Sequence, residues 1–352
     1  MKKNRLIAGL VVLAVFIALA FYAQQKYPFH WQTFVEQFKM ADWRKILFAL
    51  GSIYAAYIFR SVRWALLLRH IKKVGPFSLL GTQVIGFTAV ALIGRIADPV
   101  RPYLVSKKTG LPLSNQVAVY IVERLFDAGS MALIFCSVIL LAPAGTLPHP
   151  EIVKKVCYGA LVTTLAGAVF LVVVRLAGGV VASFLEGVFG LLSKGFGRAV
   201  GERIRTFRTG LDTLRTFSDF GYAASLSLGM WVLISLAYLE VTTAFVASPQ
   251  LAQLTLAKCM LLMASSMVAS GFQLPVIGWF SQIGLVAAAM SGFFGVAAEP
   301  ATACAATLLA VTFLGIIPIG LIWARIEHVS LRKVAAESEH AEDALVVDEP
   351  AS

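Results

Sequence analysis

The chain has 352 residues, 59% of them hydrophobic and only 14% charged, with a formal net charge of +11 and a mean hydropathy of +0.81. A soluble domain is nearer half apolar and a quarter charged, so this balance excludes an ordinary soluble protein. The surplus of Lys and Arg reads as the charge that cytoplasmic loops of membrane proteins collect, not as a nucleic-acid surface.

Apolar stretches recur at 6–23, 46–68, 77–94, 117–142, 156–176, 221–246, 254–271, 276–297 and 302–324. In lipid every backbone N–H and C=O needs an internal partner, so stretches of this length predict helices. The fold class that follows is all-α, a polytopic transmembrane helix bundle with re-entrant or broken helices in each half. Residues 1–330 form a single membrane domain: a first half over 1–176, a cytoplasmic amphipathic linker over 178–219, and a second half over 221–324.

In chain order, MKKNRLIAGLVVLAVFIALAFYA has a basic start and an Ala18-Leu19-Ala20 site that a signal peptidase could cut. Its apolar part is nonetheless long enough to span, so it reads as an uncleaved first helix with a cytoplasmic start. Trp31, Phe34, Val35 and Phe38 then recur at helical spacing, which predicts an interfacial helix with aromatic anchors. In the linker, Ile204, Phe207, Leu211 and Leu214 form an apolar stripe beside Arg203, Arg205, Arg208 and Arg215. That pattern predicts a helix lying on the membrane surface with its basic face towards lipid phosphates, or else a docking helix. The acidic end, 337–352, reads as a disordered tail.

The stretch GRIADPVRPYLVSKK (94–108) follows an apolar run that could cross the membrane, yet it breaks into charges and prolines. The positive-inside rule explains the break if 77–94 dips in and returns to its own side. The start of the chain, Arg69, Lys72, Lys73, Arg95, Arg101, Lys107, Lys108, the linker arginines and the cluster at Arg325, Arg332 and Lys333 then all face the cytoplasm. Lys26, Lys39, Arg44, Lys45, Lys154 and Lys155 face out. A full crossing by 77–94 would reverse this balance. Both termini are then cytoplasmic, in the inner membrane. A second interruption, SSMVASGFQLPVIGWFSQIG (265–284), sets Gly271, Pro275 and Gly278 between two apolar halves and enters from outside. One broken element from each side, in each half of the chain, is the pattern of an inverted repeat and points to a transport site. Ordinary kinked spans are the plainer alternative.

Ionisable residues within spans are costly and mark function or pairing. Arg60 and Arg63 are spaced i, i+3, while Glu123 and Asp127 are spaced i, i+4 on one helix face, with Arg124 between them. With Arg95, Asp98 and Arg101 at similar depth, they predict a cytoplasm-facing cavity. Its net positive charge suits an anionic headgroup, because the Arg fork donates two hydrogen bonds to phosphate. Snorkelling of Arg60, Arg63 and Arg124 to headgroups is the competing reading, and the stronger one for Arg124. The four cysteines have no CxxC spacing and sit in apolar stretches, so they read as small buried hydrophobes. No GxxxxGK[ST], HExxH or GxSxG motif occurs, and no cofactor or metal is expected.

The segments RSVRW (60–64), RIADPVRPYLVSKKTGLP (95–112) and VERLFD (122–127) resemble the lysylphosphatidylglycerol synthase transmembrane-region, or flippase-like, family. The family pattern resembles R-x-G-E-x-x-R-P-Y-L followed by E-R-x-x-D. Arg95, Arg101, Pro102, Tyr103, Glu123, Arg124 and Asp127 match it, while Ala97 and Asp98 stand in place of Gly-Glu. In the second half Gln282 stands near where the family often has an acid. The resemblance implies translocation of lipids between leaflets. It does not imply synthesis, since the soluble aminoacyl-transfer domain of some members does not occur in this sequence. On this reading Arg60, Arg63, Arg95, Arg101 and Tyr103 bind the headgroup of a membrane lipid. Asp98, Glu123, Arg124 and Asp127 support it or carry a coupling proton. The break at Gly271, Pro275, Gly278 and Gln282 forms a moving part. Two other readings stay open at this point. One is an enzyme acting on a lipid-linked sugar or phosphate with Glu123 or Asp127 as base. The other is a scaffold that binds an envelope-biosynthesis partner through Arg203, Arg205 and Arg208.

Overall fold

The computed structural model describes residues 29–143, 145–191, 193–211, 216–271 and 277–330, and among these there are helices but no strand. The first apolar stretch (6–23), the tail (337–352), Pro275 and Arg215 lie outside them. Among the described residues, six helices are long and apolar enough to cross a membrane. The protein is therefore a polytopic helical membrane bundle.

Helix α1 (Trp31–Met40) is the short aromatic helix, with Phe34 and Phe38 turned to the core and Trp31 and Val35 exposed. Helix α2 (Trp43–Leu68) is capped by Asp42, whose side chain accepts from the Arg44 N–H. Helices α3 (Pro76–Ile93) and α4 (Val100–Thr109) are joined by a single 3-10 turn, Arg95–Ala97. Helix α5 (Leu113–Leu140) is long enough to span, but Glu123, Arg124 and Asp127 interrupt its apolar run. Helix α6 (Pro150–Gly190) bends at Ala177 (φ −128°, ψ 30°), and α7 (Lys194–Leu211) turns back along it. After α8 (Phe217–Thr243) and a short turn of helix, α9 (Pro249–Ala252), come α10 (Leu256–Gly271) and α11 (Ile277–Phe294). The last crossing is α12 (Ala298–Leu309), a π-helical turn (Ala310–Leu314) and α13 (Ile316–Ile326).

The ends of the bundle are fixed by a few polar contacts. At one end the Asp42 N–H donates to the Ala244 carbonyl (2.8 Å), and His30 meets Glu299 (3.0 Å). At the other, the hydroxyl of Ser61 donates to the Pro76 carbonyl, Lys72 Nζ to the Thr109 carbonyl (2.6 Å), and Lys108 Nζ to Glu327 (2.6 Å). Chain segment 76–109 thus begins and finishes beside the C-terminal end of α2. It is a helical hairpin, although α3 alone is long enough to span.

The reversal is written in GRIADPVRP. Gly94 ends α3 at φ 95°, a conformation that side chains disfavour. Pro99 then caps α4, and Pro102 lies in its first turn, where a missing N–H breaks no helical bond. Gly86 lets α4 close onto α3, because a Cβ there would collide with the stem of Arg101. In lipid, close approach through small residues replaces the hydrophobic drive between helices.

Helices α10 and α11 form the second hairpin. Gln282 Nε2 donates to Ser266 Oγ across it at 2.7 Å. Its start lies near the end of α8, through Thr242 and Cys259 (3.3 Å), and its finish leads into Glu299 at the opposite end from the first hairpin's mouth. The two hairpins therefore enter from opposite ends, and their tips meet inside: Trp279 Nε1 donates to the Ala91 carbonyl (3.2 Å).

The linker expected over 178–219 divides differently. Residues 178–190 continue α6, since Gly178, Gly179 and Glu186 interrupt the apolar run without ending the helix. The amphipathic helix starts only at Lys194 and packs on α6 rather than lying alone: Gly197 approaches the backbone at Glu186 and Gly190, and Arg205 pairs with Glu186 (2.9 Å). Ile204 packs beside Trp64 and Leu68, so α7 is tied to the bundle. The side chains of Arg203 and Arg208 lie outside the described residues.

Candidate functional site

Arg60 and Arg63 project from α2 toward α5, where Glu123 and Asp127 share one face. Arg63 reaches Glu123 Oε1 (2.8 Å) and Asp127 Oδ1 (2.7 Å), and donates to Ser227 on α8. Arg101, carried by α4, closes the cluster from the hairpin side. Its Nη2 lies 2.7 Å from Glu123 Oε2, and its Nε and Nη2 donate to Gln83 Oε1 (3.1 and 2.7 Å). The guanidinium also stacks over Phe87, 4.3 Å from the ring centre. Arg63, Arg101 and Glu123 are almost completely buried, at 1%, 0% and 1% exposure. Such a network holds two helices and a hairpin together, and removing one partner of a buried pair typically costs about 3–5 kcal/mol.

The remaining charges are placed differently. A cavity of about 230 Å³ lies between the two hairpins. Arg60, Asp98 and Arg124 line one part of it, and Ser266, Ser270 and Gln282 of the second hairpin line another. Tyr57, Trp231, Tyr238 and Thr312 complete the polar lining, with apolar walls from Ile53, Phe87, Val90 and Met263. Arg60 is held more loosely than Arg63, at 3.4 Å from Asp127 and 3.7 Å from Glu123. Arg124 stands 3.8 Å from Asp127 and over the ring of Tyr120. The π-helical turn brings Thr312 and Phe313 into the cavity. Turns of this kind cluster at functional sites. Below the ligand pockets of about 300–1,000 Å³ that enclose drug-sized molecules, this volume suits a headgroup and not a whole lipid.

The residues expected to bind a headgroup thus separate. Arg60 lines the cavity. Arg63 and Arg101 are enclosed in ion pairs and are not among the cavity-lining residues; for Arg101, Gly86 lets its stem lie on α3 with the fork on Glu123 and Gln83. Tyr103 is also away from the cavity lining; it lies on the far side of the hairpin, under Lys107 (4.9 Å) and beside Trp323. The side chain of Arg95 lies outside the described residues. Asp98 and Arg124 line the cavity, and Arg124 does so rather than only snorkelling. Glu123 and Asp127 hold Arg60, Arg63 and Arg101. Of the second break, Gly271 ends α10, Gly278 is buried in the first turn of α11, and Gln282 lines the cavity.

Sequence reasoning missed Trp231, Ser266 and Thr312. One signal was present for the π turn: the short run GIIPIG (315–320), whose Pro318 cannot donate to the preceding helical turn. Tyr54 donates to the Gly315 carbonyl there (2.9 Å).

Compared with known proteins, residues 6–320 match the family described as lysylphosphatidylglycerol synthase TM region. No curated protein and no solved structure matches the chain.

Proposed function

The chain belongs to the lysylphosphatidylglycerol synthase TM region family, and from that premise we propose that it moves an anionic lipid headgroup between leaflets. The observation that carries this reading is the pair Arg60 and Arg124, two cations on the wall of a cavity between hairpins of opposite entry. The headgroup enters that cavity while its acyl chains stay in the surrounding lipid. Arg60 and Arg124 hold the phosphate by charge-assisted hydrogen bonds. Arg63 and Arg101 take up much of the charge of Glu123 and Asp127, so that Arg60, held at 3.4 Å from Asp127 and 3.7 Å from Glu123, exchanges these longer contacts for the substrate. The two hairpins change their packing to open the cavity to either side, as in transporters with paired broken helices.

In this reading the protein is a transporter of the inner membrane and not an enzyme. Both termini are cytoplasmic, the first hairpin enters from the cytoplasm, and the partners are membrane lipids. The test is the rate at which a fluorescent phosphatidylglycerol changes leaflet in vesicles holding purified protein. The double variant Arg60→Gln, Arg124→Gln should slow it about tenfold or more, the worth of charge-assisted bonds lost from a partly dry site. An unchanged rate in the folded variant would overturn the proposal.

A further inference from the structure

The cavity also carries information about what the headgroup must contain beyond its phosphate. Two buried polar atoms on its walls have no hydrogen-bond partner among the described residues: Trp231 Nε1, which can only donate, and Gln282 Oε1, which can only accept. Both residues are more than nine-tenths buried, at 8% and 7% exposure. Gln282 gives its Nε2 to Ser266 Oγ, which leaves Oε1 as its second polar atom. A buried donor or acceptor left unmade costs free energy, so the pair describes the missing ligand.

A phosphate group alone does not satisfy it. An ionised phosphodiester only accepts, which leaves Gln282 Oε1 unmet. An ammonium group only donates, which leaves Trp231 unmet, although Asp98 lines the cavity beside Arg60 and Arg124. A hydroxyl both donates and accepts. The hairpin wall adds Ser266 and Ser270, with Tyr238 and Thr312 opposite. We propose that this site takes a hydroxylated anionic headgroup, a polyol or sugar phosphate, with its phosphate at Arg60 and Arg124 and its hydroxyls between Trp231 and Gln282. The inference rests on the transport reading of the same cavity and narrows it to a substrate class.

The test compares two lipids of equal charge. Phosphatidylglycerol and phosphatidylmethanol each carry one negative charge, but only the first has free hydroxyls. Purified protein in nanodiscs of neutral lipid is titrated with each, and intrinsic tryptophan fluorescence reports binding. Phosphatidylglycerol should bind about tenfold more tightly, as two added hydrogen bonds imply. Gln282→Leu should remove most of that preference, read as the ratio of the two affinities, and Trp231→Phe, read by lipid co-purification, should remove part of it. Equal binding of the two lipids, both above phosphatidylcholine, would overturn this inference and leave anion transport standing. Binding of neither above phosphatidylcholine would sink the transport reading itself. Soluble glycerophosphoglycerol is the last arm. If it competes no better than methyl phosphate, the ligand is the lipid. If it displaces the lipid at equal concentration, the hydroxyl–phosphate chemistry holds but the lipid substrate is overturned.

Discussion

The first hairpin is built from charge and the second from almost none. Helix α4 brings Arg101 into a buried network with Glu123, Arg63 and Gln83, and its mouth is tied by Lys72 and by Lys108 with Glu327. Among the described residues, a neutral bond, Ser266 to Gln282, crosses the second hairpin, and another, Trp279 to Ala91, joins it to the first. Ion pairs in a dry interior are costly to separate, whereas a single neutral hydrogen bond contributes only about 0.5–1.5 kcal/mol. On the proposed transport reading the difference separates scaffold from moving part: α3 and α4 are tied to α5 by ion pairs, and α10 and α11 are the elements that would shift against them.

The strongest way to break this contrast is in the network. Glu123→Gln keeps the shape of the side chain but leaves Arg63 and Arg101 without their shared counter-charge. It should lower stability by about 3–5 kcal/mol, read as an earlier thermal or denaturant transition of the purified protein in detergent. A loss below about 1 kcal/mol would mean that the arginines find other partners and that the first hairpin is not locked.

How much of this contrast was legible in the sequence follows from what each residue depends on. The i, i+4 spacing of Glu123 and Asp127 and the i, i+3 spacing of Arg60 and Arg63 need only helical geometry, and in the structure those two faces meet. The break at Gly94 and Pro99 was legible because these residues act locally; that α3 runs unbroken to Ile93 and sets this turn at the inner tip, not at the cytoplasmic mouth, was not. Which arginine is enclosed and which lines the cavity was not legible, because for Arg101 it depends on how α4 packs on α3, where Gly86 leaves room for its stem, and for Arg60 and Arg63 on how α2 faces α5. Trp231 and Ser266 looked like ordinary span residues, since only packing brings α8 and α10 to one cavity. Residues 178–190 read as polar linker because composition fell there, while helix packing against α7 sustains the helix to Gly190.

A gentler change sharpens the contrast at the tips. Trp279→Phe removes the hydrogen bond to the Ala91 carbonyl and keeps the ring. Its effect on stability should be small, about 0.5–1.5 kcal/mol. If that contact holds the cavity shut, leaflet exchange of phosphatidylglycerol should become a few-fold faster. A slower rate in a folded variant would mean that the second hairpin is not the moving part.

The opposed entry of the two hairpins is tested most directly by which side of the membrane reaches their ends. Single cysteines are placed at Lys73 and Lys107, flanking the first hairpin, and at Gln250 and Ala297, flanking the second, in a chain whose four buried cysteines are replaced. Intact cells are then treated with a maleimide that cannot cross the membrane. The account predicts that Gln250→Cys and Ala297→Cys react from outside, and that Lys73→Cys and Lys107→Cys react only after the membrane is opened. Finding Lys73 and Lys107 on opposite sides would make 76–93 a full span and contradict the account.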